Sequence, residues 1–383
     1  MKGSSLTWRQ KLMKWIKQMK KRNTTHVMLI TAIIIGVMSF LQIYSLKADY
    51  QVTTENDAEF TATFVGDMMF GRYVEKTANM NGYDHLFRYV KPYFEQSDYV
   101  SGNLESPIVK GQYEKAEKSI HFRASEEVGQ LLKENHFETI NLANNHMMDY
   151  GENGLRETVK TLEKYQLKSV GAGENLDKAS AILYQQIKGR TIATIGASEV
   201  LPKNFAADQN TPGILPAAQS LLVPIIQEAS QHADMVVVHV HWGDEYVFEP
   251  QENQQNLAKA IVDAGADVII GHHPHVLSSF ELYKGSVIFY SLGNFIFDQG
   301  WSMTKETAIA QYHVDKKQNH YVEITPAFIK NASPIPLVEE NVKKNPLLQL
   351  RREMIFSRLT KGVNADHYEI KNGRIFVPVG KGA

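Results

Sequence analysis

The sequence predicts an α/β protein, and three observations carry that prediction. Short β-branched or apolar runs recur from residue 61 onward, segments with helical apolar spacing lie between them, and most runs end in a polar cluster. The runs at 61–65, 139–142, 191–195, 235–240, 268–270 and 287–290 are apolar on both faces, which fits strands of a sheet covered on both sides. The helical segments at 126–135, 154–165, 218–231 and 254–264 alternate with them, the α/β pattern. Residues 61–328 form the main domain, long enough for one large core. Past Ala327 the regularity fades. The stretch Ser333-Pro334-Ile335-Pro336 leads to a helix around 347–359, and 368–377 form a hairpin turning at Asn372-Gly373, so 329–383 are expected to be an appended α+β accessory segment.

The amino-terminal segment has a different character. Residues 1–23 carry Lys2, Arg9, Lys11, Lys14, Lys17, Lys20, Lys21 and Arg22, and no acidic residue precedes Asp49. Residues 27–46 are then uncharged, long enough at about 1.5 Å per residue to cross a hydrocarbon core of roughly 30 Å. One transmembrane helix is expected over 24–47, with the basic tail cytoplasmic and the remainder extracellular. A cleaved signal peptide is the competing reading; the apolar run exceeds its usual length and no small-residue cleavage site follows. Residues 48–60 are a polar linker.

Composition narrows the chemistry. The net charge is -1 although the tail is strongly positive, so the outer part is acidic, which argues against a nucleic-acid partner. With no cysteine, neither disulfides nor thiolate metal sites exist. Any metal is held by His, Asp, Glu or Asn, a donor set for Mn²⁺, Zn²⁺, Fe²⁺ or Mg²⁺.

The polar clusters are Gly66-Asp67, Asn144-Asn145-His146, His239-Val240-His241 through Glu245, Gly271-His272-His273-Pro274-His275, and Gly293-Asn294. In α/β sheets ligands bind at the carboxyl ends of strands, so these clusters are expected to converge on one cleft. Taken singly, Asp67 is also a turn or cap residue, Asn144-Asn145-His146 a polar strand exit, and His239 with His241 a hydrogen-bonded pair. Together they point to a divalent metal site: His273 and His275 as an H-x-H pair, Asp67 giving an anionic oxygen, Asn145 a neutral one and His241 a further nitrogen.

These motifs, in this order, resemble the calcineurin-like metallophosphoesterases. More closely, residues 64–72, 141–146, 241–246 and 290–295 resemble the CapA/PgsA family of poly-γ-glutamate capsule biosynthesis proteins, over about residues 61–328. The resemblance implies a metallophosphatase-like four-layer α-β-β-α sandwich on the outer face of a bacterial membrane. It implies as partners the poly-γ-glutamate chain, an ATP-dependent ligase and small membrane subunits of the synthase. It adds Glu105 to the metal shell and places His146 where related enzymes contact the substrate, a candidate general acid. Glu245 is a candidate base or substrate-contacting carboxylate, balanced against a solvated loop acid. Arg72 either binds a substrate carboxylate or pairs with a nearby acid. Departures from the phosphoesterase pattern thin one metal subsite: Met69 stands where a histidine is expected, Asn103 replaces an acid, and either His272 or His273 pairs with His275. One tight ion is therefore expected. Three functions follow: a metal-dependent hydrolase or transferase acting on the polymer, a non-catalytic scaffold or anchor of the same complex, and a cell-surface phosphoesterase, which Met69 disfavours.

Overall fold

A computed structural model describes residues 7–46, 58–300 and 303–380, in two units, residues 1–49 and 50–383. In the first, one helix, Trp8–Leu46, takes in both the basic flank and the apolar run. Among the described residues no helix is long and apolar enough to cross a membrane. The side chains of 38–46, towards the carboxyl end of the expected span, and residues 47–57, most of the expected linker, lie outside the described residues.

The second unit is built on two large sheets. The first has ten strands; its main path runs Glu369–Lys371, Arg374–Val379, His320–Lys330, Glu306–Val314, Phe60–Met68, Tyr99–Leu104, Thr139–Asn141, Lys168–Val170. The last four are mutually parallel. The second has six strands in the order Phe280–Tyr283, Ser286–Phe289, Val268–His272, Met235–His241, Arg190–Ser198, Leu183–Ile187, with a parallel centre and antiparallel edges.

Alternation along each strand decides what faces what. In Met235–His241, Val236, Val238 and Val240 pack outward with Leu222, Ile226 and Ala229 of the helix Gln219–His232 and Ala258, Ile261 and Val262 of Glu252–Asp263. His239 points the other way, meeting Ser101 and the ring of Phe64 on the first sheet. Tyr99 likewise crosses to Thr194, its hydroxyl 2.8 Å from the threonine's. On the far side of the first sheet, Val65, Val100 and Leu104 join the helices of residues 72–164 in a core rich in phenylalanine, including Phe87, Phe94, Phe137 and Phe295 with ring centroids 5.3–6.3 Å apart. Burying each such side chain contributes roughly 1.5–3 kcal/mol. The layers therefore run helix, sheet, sheet, helix, and the chain is a mixed α/β protein.

The segment 329–383 differs from the expectation of an appended unit. Its hairpin is present, but Arg374–Val379 pairs with His320–Lys330 and extends the first sheet. Its helix Pro346–Leu359 sends Arg358 and Arg351 to the buried Glu306. A buried carboxylate needs such partners, and they tie the tail to the main body.

His313 is buried near the end of an inner strand of this sheet, Nδ1 3.0 Å from the Thr61 hydroxyl, its ring stacked on Tyr321. Burial, with the positive Arg374 nearby, pushes its pKa down to about 4. In the unfolded chain it titrates near 6.5, so the unfolded state takes up a proton first as pH falls. Its neutral form costs no stability above pH 6.5, and stability is lost between 6.5 and about 4, by at most about 3 kcal/mol. Urea midpoints for His313→Gln are expected to fall less steeply than wild type across that window; parallel curves would refute the assignment.

Candidate metal centre

The parallel register lines up the site before any side chain is considered. Asp67 pairs with Asn103, Asn103 with Asn141, and Asp67 also with Asn294 across the short strand Asn294–Ile296. In the second sheet His241 pairs with His272. These positions lie at or next to the carboxyl ends of strands of the two sheets, and all of them are buried. Gly66 permits the approach of the Asn294 strand: a Cβ there would sit 1.9 Å from the Gly293 carbonyl oxygen.

Asp67 is fully buried and its two oxygens have different neighbours. Oδ1 accepts from the Asn103 amide at 2.9 Å and lies 3.1 Å from His272 Nδ1; Oδ2 accepts from the His273 backbone N–H at 3.1 Å and lies 3.5 Å from His275 Nδ1. Burial alone would raise this carboxyl, yet the contacts with His272 and His275 hold it well below the usual carboxylate range. Asn103, in the place of an acid, is the hub of an amide network: its Oδ1 accepts from Asn141 and Asn144, each at 3.0 Å.

Glu105 is the unusual member. It is fully buried and neither carboxylate oxygen has a hydrogen-bond partner; His275 Nε2 lies 3.5 Å from Oε1. Burial raises its pKa well above normal, and the charges of Asp67 and Glu245 add to this against His275. Burial alone would lower His275, but Glu105, Asp67 and Glu245 carry it up to about 9. Its Nδ1 donates to Asn294 Oδ1 at 2.9 Å, an orientation fixed because the Asn294 amide donates to Gln299 and to the Thr304 carbonyl. That leaves Nε2 facing Glu105.

His273 and His275 hold backbone φ of 97° and 57°, a region that costs a residue with a Cβ about 1–3 kcal/mol and persists where surrounding structure enforces it. His273 Nδ1 and His241 Nδ1 are buried without hydrogen-bond partners, and the two rings sit 4.8 Å apart. Burial pushes His273 down to about 4 and His241 well below the usual range, so both offer neutral imidazoles. His241 Nε2 donates to Asn145 Oδ1 at 3.1 Å.

Two overlapping groups of donor atoms, each within 4.8 Å, follow: Asp67, Glu105 and His275, and Glu245, His273 and His275. Buried carboxylate oxygens and imidazole nitrogens without partners, converging from two sheets, fit a divalent cation by both donor chemistry and unmet valence. The His273/His275 pair is thus brought to one place, while His272 points back into the sheet interface. Asn145 and His241 engage each other beside the groups.

Other expected residues fall differently. Met69 is buried in the apolar cluster outside the first sheet, its Sδ accepting from the Gly71 N–H, so no ligand comes from that position. Arg72 is held by both carboxylate oxygens of Asp298 and lies over the Phe122 ring. Of its two expected roles the ion pair is what the structure shows. His146 stacks on Phe122, with Nδ1 2.8 Å from Asp149 Oδ2. Burial lowers its pKa, only partly offset by Asp149, which favours the neutral ring.

Sequence reasoning missed Lys118 and Asp149. Asp149 is fully buried and accepts from Lys118 at 2.7 Å and from the Phe122 N–H at 2.7 Å, while Lys118 also donates to the Asn145 carbonyl at 2.6 Å. The spacing His146-x-x-Asp149 was the available signal. Lys118 lies in an irregular segment and gave none.

The model of the bacterial capsule synthesis protein family PGA_cap matches residues 61–299. The chain is 46% identical over 347 residues to "PGA biosynthesis protein CapA" of Bacillus subtilis (strain 168), covering 90% of this chain and 91% of the relative. It is 41% identical over 356 residues to "Capsule biosynthesis protein CapA" of Bacillus anthracis, covering 91% and 87%. Among solved structures, a 5'-nucleotidase precursor from Thermus thermophilus is 13% identical with a TM-score of 0.43, covering 77% of this chain and 59% of that one. A 5'-nucleotidase from Candida albicans is 12% identical with a TM-score of 0.41, covering 70% and 49%. Likenesses of that size carry no weight for chemistry, and the architecture stands on the sheets themselves. By the family match and the two CapA relatives, this chain belongs to the bacterial capsule synthesis protein family PGA_cap.

Proposed function

We propose that this chain is the membrane-anchored, extracellular component of a poly-γ-glutamate capsule synthesis machinery, and that its strand-end site is a divalent-cation site acting on the polymer. The anchor and its orientation rest on the basic flank and the apolar run 27–46. The polymer rests on the family and on the names of its relatives, while a ligase and small membrane subunits as partners rest on the sequence resemblance alone. The chemistry rests on one observation above others: a fully buried Glu105 with no hydrogen-bond partner, beside Asp67 and His275. A scaffold has no need to bury such a group.

Asp67, Glu105 and His275 would hold the ion, with His273 and Glu245 completing its open side, in the manner of a metallophosphatase-like sandwich. A divalent cation there supplies Lewis acidity at an acyl carbonyl. His146 takes the proton of an attacking water, or of an amine in a transfer reaction, and returns it to the leaving nitrogen as the γ-amide C–N bond breaks. Asp149 holds His146 Nδ1–H, so the proton moves at Nε2. Arg72, held by Asp298, is not assigned to the substrate. Met69 and Asn103 remove two ligands of the phosphoesterase pattern and disfavour phosphomonoester hydrolysis.

Elemental analysis of the purified chain tests this reading. About one divalent ion per chain is expected in wild type and none in His273→Ala/His275→Ala of unchanged fold. Absence of metal from both proteins after cation is offered back would leave the scaffold as the better account.

A further inference from the structure

The turn after the strand Met235–His241 carries an aromatic side chain that the proposed chemistry does not use. Trp242 is fully buried, its indole N–H donating to the Tyr290 carbonyl at 2.9 Å, so the turn leaves from a fixed point. Gly243 follows at φ 77°, and Tyr246 sits at φ 66°, a region that suits glycine and strains a residue with a Cβ. Two contacts hold Tyr246 there. Its backbone N–H donates to the Pro274 carbonyl at 2.8 Å, and its hydroxyl accepts from Gln299 Nε2 at 3.2 Å. Gln299 is placed in turn by the Asn294 amide, which donates to it at 3.0 Å and to the Thr304 carbonyl at 3.1 Å. The Tyr246 ring centroid lies 6.4 Å from that of His275. The residue before it, Glu245, is the exposed member of a donor group whose other members, His273 and His275, are buried.

An exposed apolar side chain by itself needs no explanation. Tyr246 differs because it is 51% exposed and yet fixed at backbone and hydroxyl, in a conformation that its side chain disfavours. Folding gains little from pinning a ring and leaving half of it in water. Strain of this kind persists where position matters, and the position here is the open side of the cation site. We infer that Tyr246 is a specificity-determining residue, its ring the apolar wall on which the backbone methylenes of a γ-linked glutamate chain lie beside the cation. This deepens the reading of the site as one that acts on that polymer, and rests on it. A γ-linked chain carries a pair of methylenes within its backbone between successive amides, with the carboxylate directly on each α-carbon. An α-linked chain holds the same methylenes in its side chains, and its backbone has a single substituted carbon between amides. With an amide at the ion, a ring at a fixed distance meets methylenes in the first polymer and not in the second. One methylene in an apolar contact is worth about tenfold or more in discrimination.

The test is titration calorimetry on the full chain in detergent, loaded with Mn²⁺, with oligo-γ-glutamate and oligo-α-glutamate of equal length and charge. Wild type is expected to bind the γ-linked oligomer at least about tenfold more tightly. Tyr246→Gly removes the ring and suits the positive φ; it is expected to weaken the γ-linked oligomer to the level of the α-linked one, with Mn²⁺ affinity unchanged. Tyr246→Phe keeps the ring and is expected to retain most of the preference. Unchanged discrimination in Tyr246→Gly overturns the proposal, as does an equal loss for both oligomers. Loss of Mn²⁺ affinity in Tyr246→Gly overturns it too, since the ring would then serve the ion-holding group. A wild type that binds Mn²⁺ and neither oligomer overturns the polymer reading and this proposal with it. A wild type that takes up no Mn²⁺ overturns the cation site instead, and the oligomer preference measured without it still decides Tyr246. If Tyr246→Gly fails to fold, Tyr246→Asn, which also tolerates a positive φ, takes its place.

Discussion

Glu105→Gln is expected to abolish cation binding while leaving the cation-free protein about as stable as wild type, within roughly 1 kcal/mol. The two halves of that result have one cause. Glu105 is fully buried, has no hydrogen-bond partner, and its pKa is raised well above normal by burial and by the charges of Asp67 and Glu245. Without a cation these influences favour its protonated form, and an amide of the same shape replaces a neutral carboxyl at little cost. His275 keeps Asn294 and Asp67 as partners. With a cation the comparison changes, because the anionic oxygen is what the amide lacks. Wild type should gain thermal stability as Mn²⁺ is added, following RT ln(1 + [L]/Kd), or about 2.7 kcal/mol at a hundredfold excess over Kd. The variant should show no such gain. Polymer processing in cells carrying the variant should fall at least about a hundredfold, since metal-ion catalysis contributes several kcal/mol. The measurement is a pair of melting series, with chelator and with Mn²⁺. A Mn²⁺-dependent rise in Glu105→Gln equal to wild type would sink the assignment of Glu105 as a ligand.

Much of this site is legible in the sequence because strand ends are legible. A short apolar run that stops at Asp67, His241 or His272-His273 announces both a buried strand and a polar group at its mouth, and the sheet order brings those mouths together. Where the inner face of a strand is itself polar, the signal fails. Tyr99–Leu104 reads Y-V-S-G-N-L because Ser101 and Asn103 face the opposite sheet and the site, so the strand that carries the hub of the network lacks an apolar signature. Glu306–Val314 is hidden in the same way by buried Thr307, Gln311 and His313. The tail's helix and hairpin are legible locally, but where the hairpin attaches is not: a strand pairing with a neighbour far back in the chain leaves no local trace, and the pairing of Arg374–Val379 with His320–Lys330 is of that kind. Arg72 shows the limit for single charged residues. Its partner Asp298 is 226 positions away, and only the fold decides between an ion pair and a free guanidinium.

The proton-transfer end of the site gives the second large effect. Asp149→Asn is expected to lower polymer processing about a thousandfold with cation binding intact, the converse of Glu105→Gln. Asp149 belongs to neither ion-holding group, but its Oδ2 fixes His146 Nδ1–H at 2.8 Å and its Oδ1 receives Lys118 at 2.7 Å. The amide removes the anion behind Nδ1, and where its nitrogen turns toward His146, at the expense of the Phe122 N–H that shares Oδ2 at 2.7 Å, the hydrogen is forced onto Nε2, the atom proposed to accept from the nucleophile; the same change of tautomer in a serine-protease triad costs about 10⁴. The substitution also leaves Lys118 without its anion. Lys118 is only 16% exposed at the side chain, so a cost of about 3 kcal/mol in folding stability is expected. Lys118→Met added to Asp149→Asn should return most of that stability and none of the activity, because it removes the stranded charge without restoring the tautomer. The double-mutant cycle separates the two roles. Recovery of activity together with stability would mean that Asp149 serves Lys118 and the backbone of Asn145, and that His146 is oriented by its stacking on Phe122 alone.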